Sequence, residues 1–421
     1  MGRSRRCSAS DPDSRPSRIT AGWADGAAEL KTDDRLLTLR LYYLASFAAL
    51  GAHAPYFPSW LMARGVEGLS MGLVTGLIPA MGVLGPPAVG LLADALGLRG
   101  SLLRVASLGA CLSMGALAVG AAAFGLSYGA LFALVLLFGI FRSPMVMLAD
   151  VVALERARGA GTTYGALRLW GSVGFLAAVL LAGRTVDLRA PASLPATVAG
   201  LLLVAFLAAL TLPGRPAQPG LPAAAEARAL LSAPDFTLFL AVSALSQLAH
   251  ASYDLCFTLH LHDLGAPGPA AGVLWAAGVG FEVALMVFAE RIVTRFSAPP
   301  LLAFAVAGAA ARWALLASVR SLPVLLALQP LHALSFGLWW VASVSYIKGR
   351  APGHALATAQ GLFSAAVAAG AVAGNLAWGG LYRRAGGGVV FAAASAIALG
   401  AAVLAASWVR LTRRPVVQPS T

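Results

Sequence analysis

The sequence predicts an all-α membrane protein with twelve transmembrane helices in two six-helix pseudo-repeats. Three observations carry that expectation. Only 11% of the 421 residues are charged and 59% are hydrophobic, against about 25% charged in a soluble domain. With a mean hydropathy of +0.80, a chain so poor in polar groups has the bilayer as its solvent. The apolar residues fall in runs close to the roughly 20 that a helix needs to cross the hydrocarbon core. A Pro/Ala/Gly-rich stretch over 213–234 divides those runs into two sets of six.

Residues 1–35 are polar and mixed in charge, with no apolar segment of signal-peptide type. They are expected to form a disordered cytoplasmic tail. The spans follow at 36–61, 69–93, 101–123, 127–150, 164–183 and 191–212, which make an N-terminal bundle over 36–212. After the cytoplasmic linker 213–234 come 235–262, 269–290, 299–318, 322–347, 354–378 and 387–409, a C-terminal bundle over 235–409. Residues 410–421 form a second cytoplasmic tail.

An even number of spans puts both termini on one side. Thirteen basic residues, Arg104, Arg156, Arg158, Lys348, Arg350 and Arg410 among them, then lie inside and outweigh the six outside, Arg64, Arg184, Arg189, Arg320, Arg383 and Arg384. That excess predicts N-in/C-in insertion in the cytoplasmic (inner) membrane. The net charge of +13 is scattered through short loops, with no basic stripe, so nucleic acid is not an expected partner. The halves also look like repeats. At an offset of 196, Thr162, Gly165, Gly174 and Gly183 of the fifth span fall on Thr358, Gly361, Gly370 and Gly379 of the eleventh. Glycines there would let helices approach closely where the halves meet.

Cys7, Cys111 and Cys256 are far apart, and no metal-ligand spacing is present; Cys111 and Cys256 sit in apolar runs as inert thiols. No metal or cofactor is expected. No paired carboxylates or Ser/His/Asp set lies at a membrane face, so no catalytic residue is assigned and the chain is not read as an enzyme.

Ionisable groups inside a bilayer are costly and mark ion or substrate pathways. Glu282, Arg312 and His332 lie well inside the eighth, ninth and tenth spans. Burial and a neighbouring guanidinium act on a carboxyl in opposite directions, and their balance can suit a proton carrier. Imidazole titrates near neutrality in water. In the seventh span Ser243, Gln247, His250 and Asp254 recur at helical spacing on one face, which must look into the bundle. His53 in the first span offers a second cavity wall. Arg142 in the fourth would bind a substrate carboxylate or pair with Asp254 or Glu282. Asp94, Arg99, Asp150 and Arg168 share one depth and are read as a cytoplasmic gate that holds the outward-open state. Trp170, Trp275, Trp339 and Trp340 either stack on substrate or fill the core. His260 and His262, near the outer end of the seventh span, are expected to be solvated.

The loop after the second span reads Gly90-Leu-Leu-Ala-Asp94-Ala-Leu-Gly97-Leu-Arg99. It resembles the signature loop of the major facilitator superfamily, with Ala95 and Leu98 where basic residues are usual. The segments Tyr164-Gly165-Ala-Leu-Arg168-Leu-Trp170-Gly171-Ser172, Ala249-His250-Ala-Ser-Tyr253, Leu274-Trp275 through Glu282, Arg312-Trp313 and Leu328-Gln329-Pro-Leu-His332 resemble the phenylpropionate permease branch, relatives of lactose permease. That resemblance implies the major facilitator fold and proton coupling through Glu282, Arg312 and His332. It adds Tyr253, Trp275 and Gln329 to the cavity of His53, Arg142, Gln247, His250 and Asp254. His53 and Asp254 depart from the branch. The expected function is proton-coupled symport of a small organic solute (an aromatic acid, sugar or nucleoside) by alternating access. A proton-antiport exporter is the alternative, and a transport-dead sensor or assembly partner is the alternative of another class. The expected partners are the solute, protons and the bilayer, with the chain a monomer.

Overall fold

The computed structural model describes residues 18–96, 98–123, 125–157, 162–185, 193–212, 224–351 and 355–412. They are helical almost throughout, as a backbone without water to bond to must be. The N-terminal half contains α1 (Arg18–Met62), α2 (Gly68–Leu96), α3 (Arg99–Ala123), α4 (Tyr128–Arg142), α5 (Met145–Ala157), α6 (Tyr164–Thr185) and α7 (Leu194–Leu210). The short α8 (Ala224–Leu231) leads into the C-terminal half. That half is α9 (Pro234–Asp263), α10 (Gly268–Val287), α11 (Ala289–Arg295), α12 (Ala298–Ser318), α13 (Leu322–Ala327), α14 (Pro330–His332), a π-helical turn (Ala333–Leu338), α15 (Trp339–Arg350) and α16 (Leu356–Thr412).

Every predicted apolar segment falls on helix. Among the described residues eight helical segments are individually long and apolar enough to cross a membrane, so the chain is a multi-pass membrane protein. The first predicted span is the apolar end of α1, the sixth is the 17-residue α7, and the seventh is α9, joined to α8 at a bend of 82°. The fourth span is α4 and α5, separated at Ser143–Pro144.

Several boundaries differ from expectation. Helix α1 starts at Arg18, so residues 18–35 are helical rather than disordered; Ala, Glu, Leu and Lys there continue a helix that the bilayer already nucleates. Residues 1–17 lie outside the described residues, as do 213–223 of the linker, whose remainder forms α8. The eighth span ends at Val287, and α11 replaces its last turn. The last two spans, taken together here as α16, are two helices that meet at a kink at Gly386, whose φ of +73° is a left-handed conformation that glycine adopts without steric cost.

The repeat is visible as matched local geometry. After α1 the N–H of Val66 bonds Leu61 O at 3.0 Å, and after α9 the N–H of Ala266 bonds Leu261 O at 2.9 Å. Each closes around a glycine of positive φ, Gly65 at +71° and Gly265 at +74°, the Schellman termination of a helix. The half-to-half crossings are matched too. A Cβ on Gly183 of α6 would lie 3.1 Å from Gly268 O and Gly272 Cα of α10. A Cβ on Gly379 of α16 would lie 2.5 Å from Gly68 O and 3.1 Å from Gly72 Cα of α2. Of the matched glycines, Gly183 and Gly379 thus lie where the halves meet, at the end of the molecule carrying the 63–67 and 264–267 turns, whereas Gly174 and Gly370 pack on Leu44 of α1 and Ala244 of α9 within their own halves. Glu67 and Arg383 bridge the halves at the same end, at 3.7 Å.

Candidate functional site

The ionisable residues of α10, α12 and α14 form one connected cluster. His332 Nε2 lies 3.4 Å from Glu282 Oε2. Its other ring nitrogen, Nδ1, lies 3.0 Å from Arg312 Nη1, which also donates to Ser335 Oγ at 3.1 Å. Arg312 is fully buried, with its guanidinium carbon 4.3 Å from the Tyr253 ring centroid and 4.7 Å from that of Trp313. Ring faces of this kind partly replace lost hydration of a cation. Two glycines set the spacing. A Cβ on Gly278 would lie 3.1 Å from Gln329 Oε1, and one on Gly337 would lie 3.1 Å from Glu282 Cγ. Without side chains at these points, α10 packs against the tenth span closely enough for Glu282 to reach His332. The π turn begins one residue after His332, a placement often met at functional positions.

The order of this cluster differs from the expected Glu282–Arg312 contact. Among the described residues no ion pair joins them; the His332 ring stands between, one nitrogen toward each. Arg312 keeps Nε and Nη2 buried without a hydrogen-bond partner. Tyr253 donates to Gln329 Oε1 at 3.4 Å, and Gln329 Nε2 donates to Leu325 O at 2.9 Å. Trp275 lies 4.4 Å from the Tyr253 ring and donates to Thr258 Oγ1 at 3.0 Å, which fixes it as a buried wall.

On α9 the predicted polar face is buried at Ser243, Gln247 and His250 and opens only at Asp254, whose side chain is 48% exposed. His250 Nε2 lies 3.6 Å from Asp254 Oδ1, and the His250 ring packs on Phe336 and His332 at 4.8 and 5.7 Å. Cysteine placed at Asp254 should therefore react with a small thiol reagent and be protected by substrate, while cysteine at Gln247 or His250 should stay silent until the halves move. Labelling at Leu255, which is buried, would mean that α9 is rotated from this placement. His260 is buried and stacked edge-on to Phe391, not solvated, because Gly387 of α16 leaves room for the ring.

In the N-terminal half His53, Arg142, Phe138 and Ser143 line one cavity with Ala49, Leu50, Ile78 and Gly82, of about 200 Å³. Arg142 pairs with neither Asp254 nor Glu282 among the described residues. Of the expected gate, Asp150 and Arg168 meet at 3.8 Å, and Arg168 lies over the Phe47 ring at 3.9 Å. Asp94 and Arg99 are at the ends of α2 and α3, and their side chains lie outside the described residues. Trp339 is buried, whereas Trp170 and Trp340 are exposed at 39% and 37%.

Sequence reasoning gave no site role to Tyr43, whose hydroxyl donates to Asp150 at 2.6 Å, nor to Ser335, Phe336, Gly278 and Gly337, of which Gly278, Ser335 and Phe336 stand within or next to the segments of the family resemblance. A hydroxyl or ring one turn from a buried charge was the available signal for Ser335 and Phe336. No group of metal-ligating residues occurs among the described residues. The cluster is chemically equipped to take up and release a proton beside a permanent cation.

Residues 36–393 match the MFS_1 like family. The maltose permease of Geobacillus stearothermophilus is 32% identical over 345 residues, 81% of this chain and 84% of that protein. A probable 3-phenylpropionic acid transporter of Escherichia coli (strain K12) is 29% identical over 356 residues, 83% of this chain and 92% of that protein. The fold is that of a mutant of the nucleoside transporter NupG, with a TM-score of 0.80 at 17% identity over 90% of this chain and 100% of that one.

Proposed function

The chain belongs to the MFS_1 like family of the major facilitator superfamily and is a membrane transporter rather than an enzyme, and on that premise we propose that it is a proton-coupled symporter of a small organic solute, working by alternating access. The observation that carries the proposal is the unbroken line from Glu282 through the His332 ring to Arg312. Glu282 keeps 20% of its side chain exposed, so protons reach it, while Arg312 is sealed and permanently charged. A proton on Glu282 changes the charge balance of the C-terminal half without moving Arg312. That change biases which arrangement of the halves is stable, the requirement for coupling. The proteins named above carry a sugar, an aromatic acid and a nucleoside in their names, which supports a compact organic solute.

The test is uptake by the purified chain in proteoliposomes under an imposed pH gradient, screened across aromatic acids, sugars and nucleosides. Accumulation of one of them against its gradient is expected; a gradient that drives none removes the symport reading. The basic-residue bias supports N-in/C-in insertion in the inner membrane, which would make the glycine-sealed end the outer one. Cysteines replacing Arg64 and Arg384 should label from outside in intact cells, and those replacing Arg156 and Arg350 should not. Labelling at 156 would invert the topology.

A further inference from the structure

Resting on that reading, we propose that the cavity of α1, α2 and α4 is an anion subsite, in which Arg142 and His53 hold the carboxylate of a compact monoanionic solute. Three features of the cavity point to an anion. Arg142 at the end of α4 has no ion pair or hydrogen-bond partner among the described residues, and it lines a cavity of about 200 Å³. A guanidinium in a membrane interior is permanently charged and is kept there only with a compensating group. Arg142 stands in the last turn of α4, whose carbonyl end supplies about half an elementary charge, less than the whole charge of the guanidinium.

His53, 6% exposed, has its Nε2 buried with no hydrogen-bond partner, although such atoms are rarely left unsatisfied. Its ring is held between Phe57 at 4.4 Å and Phe138 at 5.2 Å, so it is fixed in place rather than free to find another partner. A carboxylate beside Arg142 would accept from both groups, with the rest of the solute against Phe138, Ile78 and Leu50. The volume is below the roughly 300–1,000 Å³ of pockets for drug-sized ligands, which favours a compact solute.

Charge counting leads to the same class. With Glu282 and Asp254 ionised and His53, His250 and His332 neutral, Arg142 and Arg312 balance the two carboxylates, and Asp150 balances Arg168. The empty carrier is then neutral as it reorients. A proton on Glu282 leaves one positive charge uncompensated, and a monoanion at Arg142 restores neutrality. A neutral solute would leave that charge to be carried through the cycle. Uptake is therefore electroneutral, one proton with one monoanion.

The test uses matched acid and amide pairs (benzoate with benzamide, 3-phenylpropionate with 3-phenylpropanamide) and gluconate with glucose, binding to the purified full-length chain. At least one acid should bind, and its neutral partner should bind about 10- to 100-fold more weakly, the ratio for losing charged hydrogen bonds. Arg142→Gln should erase the preference, and Arg142→Lys should keep part of it. Equal binding of acid and neutral partner, or no binding by any acid, overturns the subsite; because this comparison uses the unaltered protein, it stands even if the variants fold poorly. In proteoliposomes a potassium diffusion potential should leave uptake of the bound acid unchanged while a pH gradient drives it. An acid that binds selectively but is not accumulated under a pH gradient leaves the subsite standing and removes the symport reading. A neutral solute accumulated by the gradient and unaffected by Arg142→Gln does the reverse.

Discussion

Glu282→Gln should abolish accumulation driven by a pH gradient and leave exchange of labelled for unlabelled solute close to the wild-type rate. Glutamine has the shape of the protonated carboxyl and cannot release its proton. The loaded carrier, which carries Glu282 protonated, is mimicked and continues to reorient, so exchange survives. The empty carrier must return with the proton lost, and that step is closed. Binding should persist because Glu282 contacts His332 in the C-terminal half, away from the His53–Arg142 cavity. Continued accumulation by Glu282→Gln would move the coupling group elsewhere, with Asp254 the next carboxylate to examine, since it already faces His250 at 3.6 Å. Arg312→Ala is a harsher change. Removing one member of a buried charged group costs about 3–5 kcal/mol, so its effect on transport is interpretable only alongside the amount of folded protein.

Gly72→Val should hold the molecule open at the glycine-sealed end and stop net uptake. A Cβ at Gly72 would overlap the carbonyl oxygen of Asn375 and lie 3.0–3.1 Å from neighbouring backbone atoms of α16. Backbone cannot rotate aside as a side chain can. Overpacking of this kind costs about 1–3 kcal/mol, and because only the sealed state makes the contact, the state populations shift about 5–150-fold. Cys256 reports the shift. It is fully buried and lines a cavity between the halves with Met62, Met71, Leu259 and Tyr382. In a background lacking Cys7 and Cys111, an impermeant thiol reagent should label Cys256 in Gly72→Val far faster than in the parent. Unchanged labelling would mean that the α2–α16 crossing does not gate this end.

The twelve apolar segments were legible because the bilayer imposes a length and a polarity on each, whatever its neighbours do. Glu282, Arg312 and His332 were legible for the same reason, since a charge stands out in an apolar run. Their order in space was not. That His332 lies between the carboxylate and the guanidinium depends on Gly278 and Gly337 and on a π turn, which arise from packing between helices. The burial of His260 depends on Gly387, more than a hundred residues away in sequence, and no local pattern announces it. The helical start at Arg18 was missed because residues 18–35 are polar, and polarity says little about whether a helix already formed at its C-terminal side continues.

The seal between the halves consists mainly of glycine backbones in contact, Gly183 on Gly268 and Gly272 and Gly379 on Gly68 and Gly72, with one exposed ion pair beside them. An exposed pair contributes about 0–1 kcal/mol and weakens with salt, so the barrier to opening resides in close dispersion contacts. Opening this end exchanges those contacts for water, and dispersion between backbones, unlike a charged gate, is not screened by dissolved ions. The turnover rate should accordingly be nearly the same at low and high ionic strength, so salt can be varied freely in reconstituted assays without changing the gate.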